Sequence, residues 1–102
     1  MRRADGLSLV ATARRDLDDI ARHISRERDA GTAERVVATV IRSLRMLSDN
    51  PLAGRSRRDD LGRDRRSIAV TDYVIIYRVV RSDALILRVL DGRRDLMRIF
   101  GH

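Results

Sequence analysis

The sequence predicts an α+β fold: an N-terminal strand, an α-helical hairpin, then a three-stranded antiparallel meander and a short C-terminal tail. Three observations carry this prediction. Two stretches in the first half repeat apolar residues at helical spacing. The second half, residues 66–95, holds both tyrosines and the longest β-branched runs, which suit a pleated surface. Short polar breaks separate those runs, and links that short force neighbouring strands antiparallel. At 102 residues the chain fits a single domain over 1–102.

Residues 7–11, Leu-Ser-Leu-Val-Ala, alternate weakly and read as a short strand added to the edge of the meander. Thr12 is placed to cap the first helix through its hydroxyl. Leu17, Ile20, Ala21 and Ile24 recur at i, i+3, i+4 and i+7 and form its apolar stripe. Asp16, Asp18 and Asp19 near the start, with Arg26 and Arg28 near the end, complement the helix dipole. Gly31 is read as the stop. Thr32 is read as the cap of a second helix, whose stripe includes Val36, Val40, Ile41, Leu44 and Leu47. Asn50-Pro51 ends it, because the residue before proline avoids the helical region. The break between the helices is short, so they fold back as a hairpin.

Residues 51–66 read as a polar, arginine-rich connection anchored by Leu52 and Leu61. The strands follow at 67–70, 73–80 and 85–90. Gly92-Arg93-Arg94-Asp95 then leads into a tail, residues 96–100, read as helical.

Composition narrows the function. The absence of cysteine excludes disulfides and thiolate metal sites. No apolar run approaches membrane-span length, which points to a cytoplasmic protein with no membrane partner. The formal net charge is +7, and all 22 basic residues are arginine. Genomic base composition accounts for arginine replacing lysine, but not for the excess of positive charge. That excess points to an anionic partner, either nucleic acid or an acidic protein segment. Arginine adds forked contacts to carboxylate or phosphate.

The ordered combination of LSLVATARRDLDDIARHI, LSDNPLAGRSRRDDLG and RRSIAVTDYVIIYRVVRSDALILRVLDGRRD resembles the ParE branch of the RelE/ParE toxin superfamily. The likeness spans nearly the whole chain. It implies the toxin of a type II toxin–antitoxin pair. The implied partner is a ParD-like antitoxin with a ribbon-helix-helix DNA-binding part and an acidic C-terminal segment. The ParE branch is associated with poisoning DNA gyrase, and the RelE branch with cutting mRNA on the ribosome. No cofactor and no metal are implied.

Chemistry separates the two branches. A metal-free RNA cut needs a proton acceptor, a proton donor and charge stabilisation. Arginine stabilises charge but is a poor acid or base. The candidate proton carriers are Asp91, Tyr73, Tyr77, His23 and His102. Asp91 stands where both branches often carry histidine, Met97 stands where a RelE-type tyrosine comes, and Phe100 has no hydroxyl. These departures fit ParE. A nuclease reading would rest on Arg78, Asp91 and Arg94. The binding reading takes Arg78, Arg88, Arg93 and Arg94 as the antitoxin- or target-binding residues and assigns no catalytic residue. Arg78 and Arg88 share a sheet face only if the strand register allows it. Tyr73 and Tyr77, four apart and so on one face at the period of two of a strand, read as core, with base stacking as the alternative. Arg55, Arg57, Arg58, Arg63, Arg65 and Arg66, with Asp59, Asp60 and Asp64 among them, read as a self-compensated loop. His23 and His102 are isolated, and two such histidines without cysteine do not make a metal site. A third reading is a non-catalytic nucleic-acid-binding module, although no direct sequence-specific nucleic-acid binding is expected.

Overall fold

The apolar stripes of the first half bury against the β-branched runs of the second. The computed structural model describes residues 7–57 and 64–95. Two helices, α1 (Ala11–Glu27) and α2 (Ala30–Asp49), precede β1 (Arg55–Ser56), β2 (Arg65–Val70), β3 (Tyr73–Val80) and β4 (Asp83–Asp91). The strands form one antiparallel sheet in the order β1-β2-β3-β4.

One face of the sheet carries the core. Ile75, Tyr77, Ile86 and Val89 meet Ala13, Ile20 and Ile24 of α1 and Val40, Leu44 and Leu47 of α2. Fully burying a side chain such as Leu44 or Leu47 contributes about 1.5–3 kcal/mol before entropy is subtracted. Tyr77 is fully buried and Tyr73 packs at the core margin, so neither ring forms an open stacking platform. Ile76 and Leu90 are buried outside this cluster, and cross-strand parity puts them on the second face.

Several local expectations are corrected. Residues 7–10 lie on the edge of the meander as expected, but as an extended segment rather than a full strand. They run beside β4 with one parallel bridge, Leu9 to Ile86. The Val10 N–H donates to the Ile86 carbonyl at 3.0 Å, and the Ile86 N–H donates to the Ser8 carbonyl at 2.8 Å. This attachment holds the chain extended up to Val10, so α1 starts directly after it. Val10 is the N-cap, Thr12 lies inside the helix, and the first turn holds no acidic residue. Asp16, Asp18 and Asp19 therefore sit past the reach of the orphan N–H groups.

The second helix starts earlier than Thr32. Asp29 is its N-cap, so Gly31 and Thr32 fall inside the first turn rather than marking a stop and a cap. The Thr32 N–H donates to Asp29 Oδ1 at 2.7 Å, and the Thr32 hydroxyl donates to Oδ2 at 3.0 Å. A carboxylate with two oxygens outcompetes a hydroxyl for this role.

The connection after α2 contributes β1, making the sheet four-stranded rather than three-stranded. Leu52 is no anchor: it is 71% exposed. The segment is held instead by Tyr77, whose hydroxyl donates to the Pro51 carbonyl at 2.6 Å and accepts from the Gly54 N–H at 2.8 Å. Arg66 adds bonds from Nε and Nη2 to the Gly54 carbonyl. Leu61, Arg58, Arg63, Asp59, Asp60, Met97, Phe100, His102 and the tail at 96–100 lie outside the described residues.

Two hairpin turns use two residues each. Val70 pairs with Tyr73 and Val80 with Asp83. Arg81 and Ser82 both have positive φ, 51° and 66°, which is the type I′ pattern that suits the twist of a hairpin.

Candidate functional site

Register decides what the arginines can do. In β2 and β3, Arg65 lies directly opposite Arg78, and Arg57 continues the same row through its N–H bond to the Arg65 carbonyl at 2.8 Å. Two residues along the strands, and so on the same face, the row reads Arg55, Ser67, Ile76, Arg88. Opposed residues share a face. Arg78 and Arg88 therefore stand on one face as diagonal neighbours, at a spacing of about 7–8 Å. This is the second face, away from the helices. The parity follows from a shift in register between Ile76 and Tyr77, which leaves Leu87 without an opposite residue.

The two arginines are held differently. Arg88 is fastened by Asp16, whose carboxylate takes bonds from Nε at 2.8 Å and Nη2 at 3.1 Å. Asp16 also accepts the Val89 N–H at 2.9 Å, on the outer edge of β4. The Asp16 side chain is only 13% exposed. Its hydrogen bond holds the Arg88 guanidinium above its usual range, against the opposing effect of burial. Arg78 is held loosely. Asp64 Oδ2 lies 3.2 Å from Arg78 Nε, while Asp64 Oδ1 lies 2.7 Å from Arg65 Nη1. The first contact is close enough for an ion pair, but its N–H is not aligned on the carboxylate. Arg78 Nε is thus a buried donor without a hydrogen bond.

Asp91, Arg93 and Arg94 sit elsewhere. Asp91 pairs with Tyr73, five residues along β3 from Arg78, which is about 17 Å at the rise of a strand. Its carboxylate accepts the N–H groups of Arg93 and Arg94 at 2.9 and 3.2 Å, and its own N–H donates to Asp95 Oδ2 at 3.0 Å. Arg93 reaches Asp72 at 3.1 Å, and Arg94 lies 3.6 Å from Asp95. Both remain largely exposed. Burial, then the nearby Asp91 and Asp72 carboxylates, raises the Tyr73 hydroxyl above its usual range. Arg78, Asp91 and Arg94 therefore do not converge, whereas Arg78 and Arg88 do share a surface.

Sequence reading missed Asp16, Asp64 and Arg65. Asp16 carried a signal: it stands at i+3 from Ala13 and i−4 from Ile20, on the flank of the buried stripe. Asp64 and Arg65 carried none, since only the pairing register brings them to Arg78.

A second feature lies between the helices. An open groove of about 420 Å³ is lined by Ala21, Ser25, Ala33, Val37, Ala38 and Ile41. Small side chains leave this space because they do not fill the gap between two helix backbones. Among the described residues no group of three metal-ligating side chains occurs, and no helix is long and apolar enough to cross a membrane.

The chain compares closely with known proteins. Residues 7–96 match the family model described as ParE toxin of type II toxin-antitoxin system, parDE. Toxin ParE3 of Caulobacter vibrioides is 31% identical over 86 residues, covering 84% of this chain and 85% of that protein. A solved chromosomal ParDE TA system from P. aeruginosa superposes with a TM-score of 0.69 at 22% identity, over 81% of this chain and 92% of that one, and shares the fold. The family match runs from the extended segment at Leu7, through the hairpin and all four strands, and with the Caulobacter relative it establishes that this chain belongs to the ParE toxins of type II toxin–antitoxin systems.

Proposed function

We propose that this ParE-type toxin acts by binding, and that its target is DNA gyrase. In the cell it would be held inactive by a ParD-like antitoxin with a ribbon-helix-helix part and an acidic C-terminal segment. The supporting observation is that Arg78, Asp91 and Arg94, the three groups a nuclease reading needs, do not converge. Arg78 and Arg88 share a face, while Asp91 stands at the far end of β3. Among the described residues, the carboxylate that reaches Arg78 is Asp64. A carboxylate there is the counter-ion of the guanidinium and repels an incoming substrate phosphate.

The antitoxin would place apolar side chains in the groove between α1 and α2 and carboxylates on Arg78, Arg93 and Arg94. Its acidic segment would order on binding, as oppositely charged flexible segments do. Arg88 is committed to Asp16 and would position its surroundings more than contact the partner. The interaction is testable by co-expressing the toxin with the protein encoded beside it and purifying through the toxin. Retention of a ribbon-helix-helix protein supports this reading, and recovery of the toxin alone counts against it. Site-specific mRNA cleavage in a translating extract would replace the gyrase reading with a ribosome-dependent one.

A further inference from the structure

We propose that Arg65 and Arg78 form a carboxylate-exchange site in which Asp64 is the resident counter-ion, displaced by an acidic polypeptide segment when a partner binds. This inference rests on the binding reading above and names where the exchange occurs.

Like charges directly opposite on neighbouring strands repel. Arg65 and Arg78 are such a pair, so the sheet needs an anion between them. Asp64 supplies it, one oxygen to each arginine. It does so from the residue before β2, with its side chain 50% exposed. The fit is incomplete, because Arg78 Nε is buried and yet makes no hydrogen bond. A carboxylate approaching along the row can align with that N–H, which Asp64 leaves without a hydrogen bond.

Asp16 makes the contrast. It is 13% exposed, makes three bonds to Arg88 and Val89, and is part of the scaffold. Asp64 is half-exposed, and its carboxylate contacts the Arg65 and Arg78 side chains rather than a backbone N–H, so exchanging it leaves no buried backbone donor orphaned. Arg57 extends the row to a third strand, and its Nη1 donates to Ser67 Oγ at 3.1 Å. A row of arginines that crosses three strands favours an extended acidic chain over a single small anion. The resident group is itself a carboxylate, which favours a polypeptide over a nucleic acid.

The test is binding of a synthetic hexaglutamate peptide to the full chain at low ionic strength. Asp64→Asn removes the competitor and is expected to tighten binding about threefold to fivefold, the upper part of what an exposed charge pair contributes. Asp19→Asn makes the same change of net charge on α1, far from the row, and sets the general charge effect. Arg78→Gln is expected to abolish the gain when combined with Asp64→Asn. Equal affinities for the Asp64→Asn and Asp19→Asn proteins would overturn the proposal. So would a gain seen with a duplex DNA oligomer and not with the peptide. The peptide experiment involves no antitoxin and no gyrase. Failure to retain an antitoxin would sink the functional reading alone, and an unresponsive peptide affinity would sink the exchange alone.

Discussion

Replacing Asp16 with alanine tests how the edge of the sheet is closed. The carboxylate accepts Arg88 Nε, Arg88 Nη2 and the Val89 N–H, all within 3.1 Å. Arg88 is 42% exposed, so water recovers most of its lost interaction, and the ion pair itself accounts for only about 0–1 kcal/mol. Val89 is 2% exposed, so its N–H is left without a partner, at a cost of about 1–3 kcal/mol. The expected loss for Asp16→Ala is therefore about 1–4 kcal/mol, most of it from the backbone donor. Asp16→Asn keeps an oxygen for Val89 and should lose about half as much. Arg88→Gln leaves the Asp16–Val89 bond in place and should be the mildest of the three. Urea unfolding at constant m value gives these differences, and hydrogen exchange at Val89 locates them. A loss below about 1 kcal/mol for Asp16→Ala, or a larger loss for Arg88→Gln, would refute the assignment of the cost to the edge amide.

Other expectations follow from the same physics. Tyr77→Phe removes the acceptor of the Gly54 N–H and the donor to Pro51, and should cost about 1–3 kcal/mol by thermal or urea unfolding. Gly54→Ala should destabilise as well, because the added Cβ would lie 2.5 Å from the Tyr77 hydroxyl and 2.8 Å from the Ser67 carbonyl. Arg81→Asn with Ser82→Gly relieves two positive-φ residues in the β3–β4 turn and should raise stability by about 0.5–1 kcal/mol, read as a higher urea midpoint. The Thr32 backbone N–H, then its hydroxyl, holds the Asp29 carboxyl below its usual range. A lowered carboxyl stabilises fully above its unfolded pKa, and that stabilisation disappears as pH falls through the folded value. The Tm gap between wild type and Asp29→Ala should therefore narrow as pH falls from about 6 to about 3.

Much of this arrangement could be read from the residues. The stripes of both helices predicted their buried faces, since Ile20, Ile24, Val40, Leu44 and Leu47 all lie in the core. β-branching and short polar breaks predicted β3 and both hairpins. Helix starts were not legible, because they depend on tertiary ties. Val10 is fixed by Ile86, which is distant in sequence, and Asp29 outcompetes Thr32 by having the better acceptor. β1 has only two residues and exists because Tyr77 and Arg66 hold the preceding loop against the sheet. The arginines were visible as candidates, but their grouping was not. A shift of one residue opposite Ile76 decides which face Arg88 shares, and no periodicity announces it.

The most direct test of the whole account is negative supercoiling of relaxed plasmid by purified gyrase, with the folded toxin added in excess. Inhibition that is relieved by the antitoxin is the predicted result. Undiminished supercoiling, with circular dichroism confirming that the toxin is folded, would contradict it.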